Sequence, residues 1–497
     1  MSFKLAVIGA GSIGFTRLLL TDILSVKEFQ DIEISFTDIN EDNLRMVTQL
    51  VQRDIDENGL SIKIESTLDR RQALKDAKYV INCVRIGMLE AFALDVEIPL
   101  KYGVDQCVGD TLCTGGIMYG QRGIAAVLDF CKDIREVALP GCIMLNYSNP
   151  NAMLTWACNK YGKVPTIGLC HGVQHGHQQI ANTLGVNKDD VDIICAGINH
   201  QTWYISVKHK GKDITKELLP LFENHPEYSN TEKVRIDMLK RFGVYSTESN
   251  GHLSEYLSWY RKRIDEIPQW IDMSSWNNGE TGGYLRVCVE GRRWFETDFP
   301  NWMKEPAAVY APESRGLEHG SYIIEGLELG HVYRGHFNVM NNGCITNLPD
   351  ECVVEVPGYV DANGVNIPKV GDLPLGCAAV CSQSIWVQKL AVEAAVHADV
   401  DLLKQAAMMD PLTGAVCNPP EIWQMIDEML VAQAQWLPQY KDEIEKAKIR
   451  LADKSNAVKL KEYTYSSRLH TKTVEELAEN SEMARKNASA ASKENIN

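Results

Sequence analysis

A glycine-rich loop directly follows an apolar segment near the start of the chain. Residues 4–8 are predicted to form a buried strand, and the loop Gly9-Ala-Gly-Ser-Ile-Gly14 leads from it into an apolar helix over 15–24. A second predicted strand, over 32–36, is followed by Asp38, which lies 24 residues after the last loop glycine. A strand, a glycine loop, a helix and an acid at the end of the next strand together predict a Rossmann dinucleotide-binding unit.

Each residue of this pattern has an expected task. Gly9 permits the tight turn, Gly11 lets a pyrophosphate approach the backbone amides at the start of the helix, and Gly14 allows the helix to pack closely on the strand. Ser12 lies between them and is a further expected cofactor contact. Asp38 would hydrogen-bond the adenosine ribose and repel a 2′-phosphate, which favours NAD over NADP. The alternative is an incidental glycine turn, which the surrounding strand and helix disfavour.

Beyond the loop, predicted strands alternate with helices as far as residue 170, and this alternation indicates a doubly wound parallel sheet. The further strands are expected at 62–65, 79–84, 142–147 and 166–170, with helices at 41–58 and 71–76. After about residue 190 the pattern changes to antiparallel strands at 193–199 and 203–208, loops over 245–335, and helices over 376–409 and 420–435. The predicted fold class is α/β, a Rossmann-like doubly wound parallel sheet fused to an α+β C-terminal domain.

Three regions follow from this pattern. Residues 1–190 are expected to form the NAD-binding Rossmann-like domain, and residues 191–445 the α+β domain. Residues 446–497 are polar and predict a helical extension or an exposed tail. The apolar helical stretch over 376–409 has the surface for a subunit contact in a homodimer or homotetramer, and it fits an internal core equally well.

The net charge disfavours some classes of partner, and the cysteine content bears on the cellular compartment. The formal net charge of −16 disfavours nucleic acid and anionic membranes, and the sequence has no apolar run of the roughly 18 residues that a membrane span requires. The 14 cysteines are scattered along the chain without a CxxC pair, so most are expected to be buried, reduced thiols. These features, and the lack of a visible secretory signal, predict a cytoplasmic protein.

A thiol and three imidazoles follow the predicted strand at 166–170. They belong to the run Cys170-His171-Gly-Val-Gln-His175-Gly-His177. Ligands of open α/β sheets collect at the carboxyl ends of strands, so this cluster indicates a metal site or proton transfer. The alternative is a set of packed or solvated residues. Two more polar residues stand in similar positions, His200 in a predicted turn and Asn149 at the end of another strand.

Several stretches, in their order and spacing, resemble one enzyme family. They are Val7-Ile-Gly-Ala-Gly-Ser12, Gly109-Asp-Thr-Leu-Cys-Thr-Gly-Gly-Ile117, Leu145-Asn-Tyr-Ser-Asn-Pro150, Gly168-Leu-Cys-His171, Ala196-Gly-Ile-Asn-His200, Asn347-Leu-Pro349 and Glu355-Val-Pro357. From residue 3 to about 440, the chain resembles glycoside hydrolase family 4, the NAD- and manganese-dependent glycosidases. The likeness is closest to the α-galactosidase branch, with the α-galacturonidases and α-glucuronidases as neighbours. The sequence Cys-His-Gly-Val departs from the Cys-His-Ser-Val of α-galactosidases and the Cys-His-Glu-Val of α-galacturonidases, so the sugar stays open.

The resemblance implies roles for individual residues. A divalent metal, Mn²⁺ above others, would be held by Cys170 and His200, because a thiolate and an imidazole suit a borderline cation. Asn149 would contact the C2 and C3 hydroxyls of the sugar, and His171 stands at the position of the acid. The general base would be Tyr256.

Two nearby residues are alternatives in this segment. Glu248 is the second candidate for the base, and His252 is a candidate for substrate or metal contact. Outside the resemblance, the residues themselves favour a packed aromatic side chain for Tyr256 and a solvated surface acid for Glu248. Arg85, at the end of the strand over 79–84, would meet the cofactor or a substrate carboxylate, or lie at the surface. His175 would contact substrate or be a polar loop residue.

The implied reaction is the hydrolysis of an α-glycoside, either an α-galactoside or an α-uronide, without net consumption of NAD. It proceeds by oxidation at C3, deprotonation at C2, elimination at C1, addition of water and re-reduction at C3. Two other functions fit the fold alone: an NAD-dependent 2-hydroxy acid dehydrogenase of the lactate/malate type, and a non-catalytic NAD-binding protein.

Overall fold

The computed structural model describes residues 3–272, 275–460 and 470–479. Within these residues, thirteen strands form one mixed sheet. The strands are β1 (Lys4–Ile8), β2 (Glu33–Thr37), β3 (Glu65–Thr67), β4 (Tyr79–Asn82), β5 (Ile143–Asn146), β6 (Thr166–Gly168), β7 (Val191–Ile198), β8 (Gln201–His209), β9 (Lys212–Asp213), β10 (Tyr245–Ser246), β11 (Tyr333–Met340), β12 (Val353–Asp361) and β13 (Gly364–Asn366).

The first six strands form the parallel part of the sheet. Their order is β3-β2-β1-β4-β5-β6, which is the strand order of a Rossmann dinucleotide-binding fold. Successive residues of β1 point to opposite faces, so Leu5 and Val7 join one hydrophobic core and Ala6 and Ile8 join the other. The α/β fold class predicted from the sequence is confirmed.

Helices cover both faces of this parallel part. They are α1 (Ile13–Leu24), α2 (Glu41–Glu57), α3 (Arg70–Leu74), α4 (Met88–Lys101), α5 (Cys113–Val137), α6 (Asn151–Ala157) and α7 (Gly172–Leu184). The later helices are α8 (Leu218–Glu223), α9 (Tyr228–Thr231), α10 (Lys233–Phe242), α11 (Asn250–Glu255), α12 (Ile267–Trp270), α13 (Gly283–Arg292), α14 (Trp294–Thr297), α15 (Phe299–Trp302), α16 (His319–Leu329), α17 (Leu375–His397), α18 (Val400–Met409), α19 (Pro411–Val416), α20 (Pro419–Ala432) and α21 (Lys441–Ala452).

The strand predicted at 62–65 was wrongly placed, because β3 begins only at Glu65. Ile62 is buried in the core as its apolar side chain suggests. The backbone around it bonds to a side chain instead of a strand: the Gln52 amide donates to the Ile62 carbonyl at 3.0 Å and accepts from the Ile64 N–H at 3.0 Å. A glutamine in α2 thus satisfies the polar groups that a neighbouring strand would otherwise pair.

The C-terminal half extends the same sheet with antiparallel strands. β11 lies next to β6, where Asn338 pairs with Gly168, and β12, β7, β8 and β10 follow in that order. The predicted antiparallel strands near 193–199 and 203–208 are found as β7 and β8. The division into regions at residue 190 stays a prediction, since the sheet continues across it.

The stretch over 245–335 is more helical than predicted. It contains α11 to α16, which are 4 to 11 residues long. Such short helices show little repeated apolar spacing, so the sequence pattern missed them. Glycines with positive φ mark two of their boundaries: Gly282 (φ +62°) precedes α13, and Gly330 (φ +76°) ends α16.

The helical stretch predicted over 376–409 divides into α17 and α18. Ala398 adopts a left-handed conformation (φ +53°) between them, and the Asp399 side chain accepts the first backbone N–H groups of α18. Many residues of α17 belong to the larger hydrophobic core, although Trp386 is half exposed.

Part of the predicted tail is described. Residues 446–452 belong to α21, and residues 474–479 form a further helical turn. Residues 461–469 and 480–497 lie outside the described residues. In the part of the chain that the structure describes, no helix combines the length and apolar character needed to cross a membrane. All 14 cysteines are unpaired in the structure, and 11 of them are buried.

Candidate active site

A cleft of about 2100 Å³ lies along the carboxyl ends of the parallel strands. Loops after β1, β2, β4, β5 and β6 form its wall, which is where ligands bind in open α/β sheets. Most of the residues predicted for the site line this cleft: Gly9, Gly11, Ser12, Asp38, Arg85, Asn149, Cys170, His171, His175, His200, Glu248 and His252. The other two, Gly14 and Tyr256, lie elsewhere, and both are described below.

The glycine loop at one end of the cleft fits a dinucleotide. Gly9 has a φ of +87°, and a Cβ atom there would lie 2.9 Å from the Cys83 carbonyl. A Cβ atom at Gly11 would lie 2.8 Å from Asp38 Oδ2, which accepts the Gly11 N–H at 2.8 Å. Among the described contacts, the Ser12 side chain does not cap α1, so the first amides of this helix have no side-chain acceptor and are suited to bind an anion. Gly14 is exposed in the first turn, where the expected close packing on the strand is not seen.

A thiol, an imidazole and a carboxylate converge in the middle of the cleft. The ligand atoms of Cys170, His200 and Glu248 all lie within 4.8 Å of one another. A second group, which shares His200, adds Asp110 and His252 within the same distance limit. A soft sulfur donor with nitrogen and oxygen donors fits a borderline divalent cation such as Mn²⁺, Fe²⁺ or Co²⁺.

Three elements from distant parts of the chain supply this cluster. Cys170 follows β6, His200 is in the tight turn between β7 and β8, and Glu248 follows β10. His200 and Glu248 both adopt left-handed backbone conformations, with φ values of +62° and +75°. Nδ1 of His200 lies 3.0 Å from the Thr111 hydroxyl and 3.4 Å from the Tyr256 hydroxyl, which leaves Nε2 for a cation.

The charges around the cluster suit a positively charged ligand. Burial raises the pKa of the Cys170 thiol well above its usual value, and the carboxylates of Glu248 and Glu355 raise it further. Burial alone would also raise the pKa of Glu248, but nearby histidines, His200 first among them, outweigh it and lower that pKa. A cation bound beside the thiol would favour the thiolate, since an adjacent positive charge stabilises the ionised form.

Asp110 is a site residue that the sequence analysis missed. Its Oδ2 atom accepts from the Asn149 amide at 3.0 Å, and its Oδ1 atom accepts from the Thr111 hydroxyl at 2.9 Å. The residue lies within the Gly109 to Ile117 motif, which by itself indicates no role for this carboxylate. Its place after the buried 104–109 loop gave no pattern that predicts a position beside His200.

The positively charged side chain of Arg85 lies beside Asp110. Its guanidinium lies 3.8 Å from Asp110 Oδ2 and 4.3 Å from the centre of the Phe92 ring. The rings of Tyr119 and Tyr284 lie within 5.5 Å of the same group. Aromatic faces and one carboxylate therefore hold this cation at the cleft wall.

His171 has a partner that the sequence did not indicate. Its Nε2 atom lies 2.6 Å from Glu318 Oε1, a buried carboxylate that precedes α16. Burial would lower the pKa of His171, but the hydrogen bond to Glu318 outweighs this and raises it. His175 is exposed beside His171, with ring centroids 5.9 Å apart. His177 instead contacts the Val191 carbonyl at 2.7 Å and anchors α7.

The two candidate bases differ in their surroundings. Glu248 lines the cleft, and its Oε2 atom accepts from the Cys170 thiol at 3.7 Å. Tyr256 is fully buried behind His200, and burial raises the pKa of its hydroxyl well above the usual value. Of these two candidates, Glu248 lines the cleft and Tyr256 does not.

The comparisons with known proteins cover most of the chain. The profile of Family 4 glycosyl hydrolases matches residues 4–186, and the profile of the family's C-terminal domain matches residues 195–413. An α-galactosidase of Rhizobium meliloti (strain 1021) is 57% identical over 485 residues, which are 97% of this chain and 99% of that protein. The chain belongs to family 4 of the glycosyl hydrolases.

Further similarities of this family 4 glycosyl hydrolase are more distant. An α-galactosidase of Bacillus subtilis (strain 168) is 34% identical over 443 residues, with 88% of this chain and 100% of the relative covered. The comparisons favour a glycosidase over a 2-hydroxy acid dehydrogenase.

Solved structures share the fold of this family 4 enzyme. A 6-phospho-α-glucosidase from gut microorganisms, in complex with NAD and glucose-6-phosphate, is 25% identical with a TM-score of 0.72, covering 88% of this chain and 99% of that one. A 6-phospho-β-glucosidase from Thermotoga maritima, with manganese, NAD⁺ and glucose-6-phosphate, is 23% identical with a TM-score of 0.70, covering 87% and 99%.

Proposed function

We propose that this enzyme hydrolyses α-galactosides with NAD and a divalent cation, Mn²⁺ above others, as cofactors. The observation that carries the proposal is the cluster of Cys170, His200 and Glu248 in the same cleft as the glycine loop. The 57% identity to an α-galactosidase over nearly the whole chain supports the substrate class. The solved relatives that contain NAD and manganese support the cofactors.

The proposed role of each cleft residue follows from its position relative to the cofactors and the sugar. When bound, NAD supplies a reversible hydride acceptor at C3 of the sugar, and the divalent cation supplies Lewis acidity. Cys170 and His200 are the proposed ligands of that cation. The Asn149 amide would donate to the sugar hydroxyls at C2 and C3. In the structure, it donates to Asp110.

Two side chains move protons in this proposal. Once C3 is a ketone, the C2 proton is acidic enough for a carboxylate, and Glu248 accepts it. His171 gives a proton to the departing oxygen at C1, held in orientation by Glu318 at 2.6 Å. Water then adds to the unsaturated sugar in the reverse sense, and the hydride taken from C3 is returned to it, so the net reaction is hydrolysis and NAD is not consumed.

The α-uronides are the second candidate substrates. Arg85 places a guanidinium at the cleft wall, where it could face a substrate carboxylate. Asp110, at 3.8 Å, offsets that positive charge, and this arrangement favours a neutral sugar. The enzyme is further proposed to be cytoplasmic and homo-oligomeric, as a dimer or tetramer.

Aryl α-glycosides test both the substrate and the chemistry. The full chain, with NAD⁺, Mn²⁺ and a thiol reductant, is expected to cleave nitrophenyl α-galactoside at least about tenfold faster than the α-glucoside, α-glucuronide and α-galacturonide. Preference for a uronide would contradict the substrate assignment. In D₂O the released sugar should carry deuterium at C2, since the base exchanges its proton with solvent. Cleavage with protium retained at C2 would contradict the elimination route, and stoichiometric NADH would indicate a dehydrogenase.

A further inference from the structure

Glu248 occupies the space in which a side chain at position 172 would stand. A Cβ atom built on Gly172 would overlap Glu248 Oε2 and would lie 2.9 Å from Glu248 Cδ. Its distance to Glu248 Cα would be 3.6 Å, which is an ordinary contact. The conflict therefore involves the carboxylate alone and leaves the backbone of both residues where it is.

The place of this carboxylate is set by its neighbours in the cluster. Glu248 Oε2 lies 3.7 Å from Cys170 Sγ, and the Gly172 N–H lies 3.5 Å from the same sulfur. Gly172 is the first residue of α7, a helix of 13 residues, and its N–H donates to the sulfur beside which the carboxylate lies. The N-terminus of α7 favours negative charge at the sulfur and the carboxylate. The carboxylate can approach it closely only because the first residue of the helix has no side chain.

We propose that Gly172 is a positioning residue, whose missing side chain admits the Glu248 carboxylate to the cation and sugar site. Residues 172 and 248 then form a matched pair: with glutamate at 248 in this position, a side chain at 172 moves the carboxylate away from Cys170 and His200. The steric overlap is relieved at the lowest energy by rotation of the flexible Glu248 side chain. The fold is therefore retained, but the carboxylate leaves the cation site. For turnover, this inference rests on the proposed role of Glu248 as base.

The test is Gly172→Ala in the full chain. Alanine is a better helix former than glycine, so the melting temperature should stay equal or rise. The Glu248 carboxylate lies within 4.8 Å of the ligand atoms of Cys170 and His200, so its displacement removes a negative charge from beside the cation. We therefore expect the Mn²⁺ dissociation constant, measured by electron paramagnetic resonance, to rise about tenfold and kcat with nitrophenyl α-galactoside to fall about 100-fold. Gln178→Ala, on an exposed face of the same helix, is the matched control and should behave as the unmodified chain.

The double variant Gly172→Ala with Glu248→Asp distinguishes displacement of the carboxylate from a general disturbance of the site. Aspartate withdraws the carboxylate by one methylene, which makes room for the new Cβ atom. Mn²⁺ affinity and kcat should recover at least about fivefold relative to Gly172→Ala alone, although Glu248→Asp by itself lowers both. Affinity and kcat within threefold of the unmodified chain in Gly172→Ala, or no recovery in the double variant, would overturn the proposal.

The Mn²⁺ titration also keeps this inference apart from the proposed function. It needs no substrate. If the unmodified chain cleaves none of the aryl glycosides while the two chains still differ in Mn²⁺ affinity as expected, the proposed function fails and the pairing of 172 with 248 stands.

Discussion

At the residue scale, two members of the proposed cation cluster have backbones that non-glycine residues seldom adopt. His200 and Glu248 both lie in the left-handed region, with φ values of +62° and +75°. Such conformations persist only where the surroundings enforce them, and they concentrate at functional sites. Here they turn the imidazole and the carboxylate toward Cys170, in place of the directions that extended strands would give.

Replacing Cys170 by serine tests the sulfur ligand. A serine hydroxyl does not ionise near neutral pH and is a harder donor, so it binds a borderline cation poorly. We expect Mn²⁺-dependent turnover in Cys170→Ser to fall at least about 100-fold, while NAD affinity stays within about twofold. Steady-state kinetics with a Mn²⁺ titration and NAD binding by fluorescence measure the two effects.

The control for this change is Cys288→Ser. Cys288 is another partly exposed thiol that lines the same cleft, and its replacement should leave turnover unchanged. Full Mn²⁺-dependent activity in Cys170→Ser would remove the thiolate from the ligand set.

The strand-end rule predicted some of the site residues, and the family resemblance implied Glu248 and His252, but Asp110 and Glu318 were missed by both. Cys170 and Asn149 follow parallel strands, and the rule for open α/β sheets places them in the cleft. Glu318, in contrast, lies 147 residues from His171, and no spacing indicates that the two touch. Gly172 departs from the α-galactosidase pattern, and the sequence does not explain why. The structure does, because the Glu248 carboxylate occupies the space that a side chain at 172 would need.

At the element scale, the loop that carries Asp110 is held by one buried carboxylate. Glu255, at the end of α11, accepts the backbone N–H groups of Cys107, Val108 and Gly109 at 2.8, 3.0 and 3.0 Å. Close by, Arg261 forms an ion pair with Asp105. The loop is therefore fixed by a helix that lies more than 140 residues further along the chain.

Removing that carboxylate should loosen the loop. In Glu255→Ala three buried N–H groups lose their acceptor, and we expect a loss of about 3 to 5 kcal/mol in stability. Thermal denaturation measures it, and Glu217→Ala at an exposed site serves as the control with a change within about 0.5 kcal/mol. A melting temperature equal to that of Glu217→Ala would show that other contacts hold the loop.

Helices and strands were predicted well where backbone hydrogen bonding follows the pattern of apolar side chains. They were predicted poorly where a side chain takes the place of a backbone hydrogen-bond partner or a single residue redirects the backbone. The alternation of strands and helices located β4, β5 and β6 to within two residues at each end. Gln52 displaced the start of β3, and Ala398 interrupted the long helix, because single residues satisfied or redirected the backbone there. Periodicity averages over a segment and does not detect such local events.

At the scale of the whole molecule, the two predicted domains share one sheet and one large hydrophobic core. One sheet runs from β3 to β10, and the larger hydrophobic core contains residues from both sides of position 190, among them Ala6 and Ile444. Independent units would need separate cores.

A shared sheet and core predict a joint unfolding transition. Differential scanning calorimetry of the full chain should show a single endotherm, because neither half can lose its strands without exposing the core of the other. Saturating NAD should raise its midpoint as one peak, since a ligand that binds only the folded state stabilises the whole unit. Two resolved endotherms, with only the first shifted by NAD, would contradict this expectation.

The junction between β6 and β11 has a consequence for dividing the polypeptide. Cys170 stands on the parallel side of that junction, and His200 stands on the antiparallel side, carried by the β7–β8 turn. A gene cut near codon 190 would therefore give two fragments, each with half of a chelating pair. Reassembly of the fragments, and nothing short of it, would restore a place for the ion.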